Sequence, residues 1–279
     1  TRVVSRVHDA CGVELPLRAL FESPTVAALA ERIERTDGSA AGGTASIPRR
    51  AGDGPVPLSF AQQRLWLLHR MEPGSPAYNI PAALRLRGTL DLRALRRALA
   101  GVVRRHESLR TVFGVGGGEP VQVVLPAGPV ALPVADLSAL PPETRGRELR
   151  RLAADEAVRP FDLERGPLLR AALVRLGAEE HAALFTMHHI IADGWSLGIL
   201  LDELMRAYAA IAAAEPSPLA PPPVQYADYA CWQREWLTDA LLDAQLEYWR
   251  ARLHGAPELL ELPTDRPRPA VRCAYGAVS

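Results

Sequence analysis

Lysine is absent from this chain of 279 residues: apart from histidine, all 32 basic residues are arginine. Because no side chain carries a primary amine, Schiff-base chemistry and a lysine nucleophile are excluded for these residues. The 32 acidic residues bring the formal net charge to zero. No overall field therefore favours nucleic acid or an anionic membrane as a partner.

Cysteine and long apolar runs are scarce as well. Cys11, Cys231 and Cys273 are odd in number, far apart and free of CxxC spacing. This disfavours a disulfide scaffold or a zinc ribbon and predicts a reducing, cytoplasmic location. No run approaches the ~20 apolar residues that span a bilayer, and the opening TRVVSRVHDACG lacks the core of a signal peptide. The chain starts without Met and ends in AYGAVS, so we expect an excerpt from a longer polypeptide.

The chain divides at a stretch of small residues. TDGSAAGGTASIPRRAGDGP has almost no apolar bulk and predicts a flexible linker at 37–56. Before it, residues 1–36 contain an amphipathic helix that stops at Gly12 and a second helix in SPTVAALAERIER. We expect Ser23 to cap the second helix and Pro24 to occupy its first turn. The pattern predicts that these residues are the end of a separate small helical domain.

Beyond the linker, helical and strand patterns alternate irregularly. The helix SFAQQRLWLLHRM is predicted to turn Phe60, Leu65, Leu68 and Met71 inward. The further predicted elements are a strand in AALRLRGTL, a helix capped by Asp91, a hairpin around the GGG turn, a polar helix at 143–158, strands in PLLRAALVRL and HAALFTMHH, a helix capped by Ser196, and helices in VQYADYACWQREW and ALLDAQLEYWRARL. This order favours an α+β sandwich over a doubly wound sheet.

The stretch MHHIIADGWS is the main candidate for chemistry. Because adjacent strand residues point to opposite faces, His188 and His189 cannot ligate one metal, and we expect no metal site. His189 is either a general base near neutral pH or a buried histidine bonded to backbone. Asp193 could orient a histidine, ligate a cation or pair with an arginine. Gly194 allows close backbone approach at a helix start that offers free N–H groups.

No nucleophile accompanies this candidate site. The sequence has no GxSxG, and no cysteine stands near a histidine in a known pattern. If the site performs acyl transfer, the attacking group is expected to arrive with a substrate.

Four motifs in order resemble the condensation domains of nonribosomal peptide synthetases. HHIIADG fits HHxxxDG, PLSFAQQRLWLLHRM resembles the opening SxAQxRLW motif, and RHESLRTVF (Arg105–Phe113) and YADYACWQREWL (Tyr226–Leu237) resemble the second and fourth. The resemblance implies a chloramphenicol-acetyltransferase-like α+β sandwich. Residues 57–225 would be its N-terminal lobe, and 226–279 the helices and crossover (Leu253 to Ser279) into a second lobe.

Residues 1–36 resemble the latter part of a peptidyl carrier (thiolation) domain. In that family the serine that bears 4′-phosphopantetheine lies in a GGHS-type motif just upstream of such a segment, and no such motif occurs here. Ser5 lacks the surrounding motif and is not a replacement. The resemblance therefore implies phosphopantetheine borne by partner carriers: a donor carrier upstream and an acceptor carrier downstream, with an adenylation domain in cis.

The resemblance also implies roles for individual residues. The acceptor amine would attack the donor thioester, and His189 would take a proton from the amine or hold it for attack. Gly194 and the helix start behind it would stabilise the oxyanion. Asp193 would be structural, paired with Arg105 or else with Arg110, although both arginines could instead be a solvated helix end. His188 is assigned to packing, and the large aromatic residues are assigned to core or interface: Trp66, Trp232, Trp236, Trp249 and Phe161.

Several alternatives stay open within the resemblance. An epimerisation domain shares HHxxxDG but has a different opening motif, so it ranks second. HHIIADG argues against a heterocyclisation domain, which would have two aspartates in place of the histidines, and the sequence shows no sign of the additional histidine-rich motif that a dual epimerisation-condensation domain would have near its start. A non-catalytic carrier-docking fragment is the remaining alternative. We expect an L-configured donor, and no amide formation by this polypeptide alone.

Overall fold

The computed structural model describes residues 2–13, 15–35, 47–52, 54–257, 259–260, 262–265 and 267. Parts of the predicted linker (37–56) and of the predicted crossover (Leu253 to Ser279) lie outside these residues, as do Cys273 and the side chain of Ser5. The chain forms two compact units, Thr1–Ile47 and Pro48–Ser279.

The described residues of the first unit form three helices, α1 (Arg2–Cys11), α2 (Ala19–Glu22) and α3 (Val26–Arg35). As predicted, α1 stops at Gly12, whose φ of +67° suits glycine. The predicted cap of α3 is wrong: Thr25 Oγ1 accepts the Ala28 N–H at 3.2 Å, whereas Ser23 closes α2. Helix α2 was not predicted, and Ser23 is the residue that ends it rather than the one that begins α3. A small core holds the unit together: Val13, Leu15 and Ala19, with Val4, Val7, Leu29 and Ile33 against them.

The described part of the second unit contains two sheets. Its strands are β1 (Val56–Pro57), β2 (Asn79–Arg87), β3 (Thr111–Gly116), β4 (Glu119–Val124), β5 (Val134–Asp136), β6 (Leu169–Arg175) and β7 (Glu180–His188). One sheet has the order β1-β4-β3, and the other has the order β2-β7-β6-β5 with β5 parallel to β6. The β3–β4 hairpin turns at Gly117 (φ +62°) and Gly118 (φ +89°), as the GGG pattern predicts.

The described helices of this unit are α4 (Phe60–Met71), α5 (Leu92–Arg105), α6 (Pro142–Val158), α7 (Gly194–Ala212), α8 (Tyr226–Trp236) and α9 (Asp239–Leu253), with a 3₁₀ helix at Glu107–Arg110. Of these, α5 and α7 pack on one face of the four-stranded sheet and α6 packs on the other. In β7 the residues Phe185 and Met187 join the main core with α5 and α7, while Ala182 and Leu184 join a second cluster with α6. The alternation of the strand thus separates two packed layers.

The N-cap residue was predicted for two helices of this unit, correctly for α5 and wrongly for α7. Asp91 caps α5 as predicted, accepting the N–H groups of Arg93 at 2.8 Å and Ala94 at 3.0 Å. For α7 the predicted cap Ser196 is wrong, because Asp193 takes that role and accepts the Ser196 N–H at 2.7 Å. An aspartate three residues before the donor matches capping geometry better than a serine inside the helix.

The inward face of α4 also differs from the prediction. Phe60 is 36% exposed and Met71 is 71% exposed. The buried face carries Gln62, whose side chain bonds that of Gln122 on β4, while Leu65 packs against the core. A buried amide pair therefore fixes the rotation of the helix, which apolar spacing alone does not show. Trp66 packs against the core as predicted, whereas Trp236 and Trp249 are about half exposed (52% and 55%).

Among the described residues, no helix is long and apolar enough to cross a membrane.

Candidate active site

The end of β7 sends two adjacent histidines in different directions. The backbone N–H of His188 donates to Leu168 O at 3.0 Å, and that of His189 donates to Tyr78 O at 2.8 Å. His188 is the last strand residue and is buried, whereas His189 begins the following turn and is exposed. Opposite orientation of the two side chains is what the strand geometry predicts.

His188 is enclosed by rings. It is 2% exposed and lies 5.9 to 6.3 Å, centroid to centroid, from His69, Tyr78 and Phe161. Its Nδ1 accepts the Ile190 N–H at 3.1 Å, which fixes the ring against the turn. Burial, together with the charges of His69 and His189, lowers the pKa of His188 to about 4. The side chain is therefore neutral near pH 7 and its surroundings are those of a packing group.

The ring of His189 forms a hydrogen bond through Nδ1 and leaves Nε2 available. Its Nδ1 lies 2.8 Å from the carbonyl oxygen of Ala192. Because a carbonyl only accepts, Nδ1 carries the hydrogen and donates it. In the neutral ring Nε2 then has a free lone pair. A hydrogen bond that fixes the tautomer in this way prepares an imidazole to accept a proton at a defined atom.

The His189 side chain lines a cavity of about 450 Å³ between α4, α7 and the start of α8. Leu65, Ile190, Ile191 and Leu200 supply much of its apolar wall. Its polar lining comes from Arg64, Tyr78, His106, Ser108, His189, Asp193, Ser196 and Tyr226. This volume and mixed lining are typical of small-molecule sites.

Asp193 belongs to the same cavity but is occupied as a helix cap. Its carboxylate accepts the N–H of Ser196 at 2.7 Å and the Ser196 hydroxyl at 2.6 Å. These two bonds lower the pKa of Asp193 below its usual value, the hydroxyl bond being the larger cause. Gly194 follows as the first residue of α7, and a Cβ added there would meet no heavy atom within 4 Å. The predicted oxyanion role of Gly194 stays a prediction.

The predicted ion pair of Asp193 with Arg105 or Arg110 is wrong. Arg105 Nε donates to both carboxylate oxygens of Glu203 at 3.1 Å. Arg110 donates to the carbonyl of Leu125. The packing of α5 against α7 brings Arg105 to a carboxylate well inside α7, not to the turn before that helix. Nor are the arginines a solvated helix end, since their side chains are 18% and 19% exposed.

The cavity residues that were not predicted from the sequence include His106, Ser108 and Tyr226. All three lie inside quoted motifs, the first two in RHESLRTVF and the third at the start of YADYACWQREWL. Tyr226 bonds Ser59, the cap of α4, at 3.0 Å between their hydroxyl oxygens. The motifs therefore contained these residues, but their spacing along the chain did not show that both motifs line the same cavity.

In the described part of the chain, no group of three or more His, Cys, Asp or Glu side chains is arranged to hold a metal ion.

An α+β sandwich with an open imidazole in a cavity at the end of its central strand defines the class of this unit. The Condensation domain model matches residues 53–276, and the Phosphopantetheine attachment site model matches residues 1–33. The chain therefore belongs to the condensation domain family, and it is a condensation domain of a nonribosomal peptide synthetase next to a carrier-type segment.

Curated relatives and solved structures agree with this assignment. The chain is 50% identical over 277 residues to one of the linear gramicidin synthase proteins of Brevibacillus parabrevis, covering 99% of this chain and 5% of that protein. The X-domain from teicoplanin biosynthesis matches at 35% identity with a TM-score of 0.70, covering 81% of this chain and 49% of that one. The first condensation domain of the CDA synthetase matches at 25% identity and 0.65, covering 76% and 53%. The predicted chloramphenicol-acetyltransferase-like α+β fold class is confirmed.

Proposed function

We propose that this domain joins a donor acyl or peptidyl group, bound as a thioester to one carrier domain, to the amine of an aminoacyl thioester on a second carrier. The observation that carries the proposal is the geometry of His189, which lines the cavity and whose Nδ1–H is bound to Ala192 O, so that Nε2 of the neutral ring keeps its lone pair. The donor is proposed to be L-configured.

The reaction needs one base and no protein nucleophile. The lone pair of the acceptor amine attacks the donor carbonyl carbon, and the carbonyl π electrons move to oxygen. Nε2 of His189 accepts a proton from the nitrogen or holds the amine for attack. The C–S bond then breaks, its electron pair leaves with sulfur, and the thiolate takes up a proton. The products are an amide and the free donor thiol. Positioning two tethered reactants contributes much of the rate enhancement in such reactions.

The remaining site residues are proposed to support this geometry. Gly194 and the helix start behind it are proposed to stabilise the developing oxyanion, because the first N–H groups of α7 have no acceptor within the helix. Asp193 caps that helix, and His188 anchors the turn from the opposite face. Arg105 and Arg110 act at a greater distance, through Glu203 and Leu125 O.

The proposed partners are an upstream donor carrier, a downstream acceptor carrier and an adenylation domain in cis. 4′-Phosphopantetheine arms on the carriers supply the thiols that bear the substrates. The cavity of about 450 Å³, with an apolar wall and a few polar groups, suits the thioester end of such an arm. A cytoplasmic location fits the free thiols of Cys11 and Cys231.

The chain spans about 5% of the length of the first curated relatives and about half of the matched solved structures. We propose that 226–279 leads from the lobe at 57–225 into a second lobe, with 37–56 as the linker after the carrier segment 1–36. In the described part of α9 no residue is buried, which is in keeping with a helix that packs against more chain. The polypeptide of residues 1–279 alone is expected to form no amide.

A docking role without catalysis is the second candidate. Another matched structure is a complex of the X-domain and OxyB from teicoplanin biosynthesis, so a relative of this fold binds another protein. Epimerisation of the donor is the third.

One assay separates the three. The parent synthetase module, with both carriers loaded, is incubated in D₂O and the products are analysed by mass spectrometry. Amide formation supports condensation. Deuterium at the donor Cα without amide indicates epimerisation, and retention of both substrates with carrier binding indicates docking. Residues 1–279 alone form the comparison arm, and amide formation there contradicts the proposed need for a second lobe.

A further inference from the structure

A second histidine lines the cavity of His189 and is held in a fixed orientation. His106 follows the last residue of α5, and its side chain is 26% exposed. Its backbone N–H donates to Val102 O at 3.0 Å. The side chain of Gln225 bonds both neighbours, donating to Arg105 O at 3.0 Å and accepting the Glu107 N–H at 3.1 Å. The chain on either side of His106 is thus tied to the residue that precedes α8.

The imidazole is oriented by a buried carboxylate. Nε2 of His106 lies 2.5 Å from an oxygen of Glu203, which is 8% exposed. Arg105 donates to both oxygens of this carboxylate, which makes Glu203 the acceptor in these contacts. Nε2 of His106 therefore carries the hydrogen that it donates. In the neutral ring Nδ1 is left as an acceptor.

Nδ1 is free to meet a ligand. Among the described residues it has no hydrogen-bond partner, and it is not one of the buried side-chain atoms left unpaired, so solvent reaches it. Nor does Glu203 require His106 for charge balance, because Arg105 already supplies a full positive charge. Nδ1 of His106 is thus a hydrogen-bond acceptor in a ring that a carboxylate holds from the other side, and the residue lines the cavity. Such an acceptor suits an N–H group that gains positive charge during the reaction.

We propose that Nδ1 of His106 accepts a hydrogen bond from the acceptor amine and orients this nucleophile beside His189, with Glu203 as a positioning residue. This inference rests on the proposed condensation function. When the amine attacks, its nitrogen becomes ammonium-like and bears two N–H groups, one for His189 and one for His106. The bond to His106 then strengthens in the transition state, which raises kcat more than it lowers KM.

Two conservative variants separate this role from a purely structural one. In His106→Asn, the side-chain oxygen can take the place of Nδ1, but the contact with Glu203 is lost. In His106→Gln, the amide N–H can take the place of Nε2 and keep Glu203 bound, but the cavity acceptor is lost. We expect Gln to lower kcat by about tenfold or more relative to Asn, with KM for the donor carrier unchanged.

The test uses the parent module with both carriers loaded, and thermal unfolding checks that each variant is folded. A structural role predicts the reverse order, with Gln near wild type and Asn impaired. That order, or equal activity of the two variants, overturns the proposal. No amide from the wild-type module would overturn the proposed function as well, so the two failures are distinguishable.

A second pair keeps the test decisive if the Gln variant does not fold. Glu203→Gln leaves His106 with a neutral partner and is expected to lower kcat. The matched control is Asp202→Asn, one residue away on α7, where the carboxylate is 67% exposed and pairs with Arg206 at 3.6 Å. Equal kcat in the two variants overturns the positioning role of Glu203.

Discussion

The end of β7 presents one histidine to each of two regions. On the packed face, His188 is surrounded by the rings of His69, Tyr78 and Phe161, and its pKa falls to about 4. On the cavity face, His189 is exposed and its Nε2 is open. Two residues of the same type thus differ in role: His188 is a neutral packing group, and His189 is available as a base. The difference shows that burial, not residue type, decides whether a histidine is available for chemistry.

The largest effect is expected on the cavity face. In the parent module, His189→Ala should lower amide formation by about 100-fold or more, because it removes the proposed proton acceptor. The stability of the domain should change by no more than about 0.5 kcal/mol, since the side chain is exposed. Product formation and thermal unfolding are the two measurements, and carrier binding should persist. The exposed His254→Ala serves as control. Near-normal turnover of His189→Ala contradicts the assigned role.

On the packed face, the expected effect is on stability and its pH dependence. The pKa of His188 is lowered from 6.5 to about 4 in the folded protein, so the unfolded chain binds its proton first. This contribution to stability is present above about pH 6.5 and is lost as the pH falls towards 4. At about 1.4 kcal/mol per pKa unit it amounts to about 3 kcal/mol.

The variant His188→Asn isolates this contribution, because the Asn oxygen can still accept the Ile190 N–H while nothing titrates. Unfolding free energies of wild type and variant, measured from pH 7.5 down to 4.5, should converge as the pH falls. Burial also lowers the pKa of the neighbouring His69, but that group is common to both proteins. Parallel curves would mean that His188 is not the titrating group.

Asp193 lines the cavity and also caps α7, so its effect should be intermediate. Asp193→Ala removes the acceptor of the Ser196 N–H and hydroxyl, at an expected cost of about 1 kcal/mol in unfolding free energy. Asp193→Asn keeps a capping oxygen and should keep most of the stability. Melting temperature and amide formation are measured together and should fall in parallel. Lost activity at an unaltered melting temperature would instead give Asp193 a chemical role.

The smallest effect is expected at Gly194. A methyl group there meets no heavy atom within 4 Å, so Gly194→Ala should change stability by no more than about 0.5 kcal/mol. Its backbone N–H is retained, and only crowding of the bound acyl group should lower the rate, by a few-fold. Unfolding and single-turnover amide formation give the two readouts. A rate equal to wild type would contradict close approach of the bound acyl group to Gly194.

Much of the fold was predictable because its signals are local. The Asp91 cap, the β3–β4 hairpin and the opposite orientations of His188 and His189 follow from backbone geometry over a few residues. The short strands β1 and β5 were not predicted, since two or three residues carry no periodic pattern and exist as strands only through their partners. The predicted inward face of α4 was wrong for a related reason. Gln62 is buried because its side chain forms a hydrogen bond with that of Gln122, which is distant in the sequence.

The sequence by itself determined the family and the α+β class, since the order of the motifs is a property of the chain. It also determined that the side chains of residues 188 and 189 point to opposite faces, because the pleat of a strand alternates them. Tertiary structure alone decided that Arg105 pairs with Glu203, 98 residues away, rather than with Asp193. It also brought His106 to the wall of the cavity that contains His189. Such pairings depend on how α5 and α7 pack together, and that packing is set by many side chains dispersed along the chain, so no single spacing encodes it.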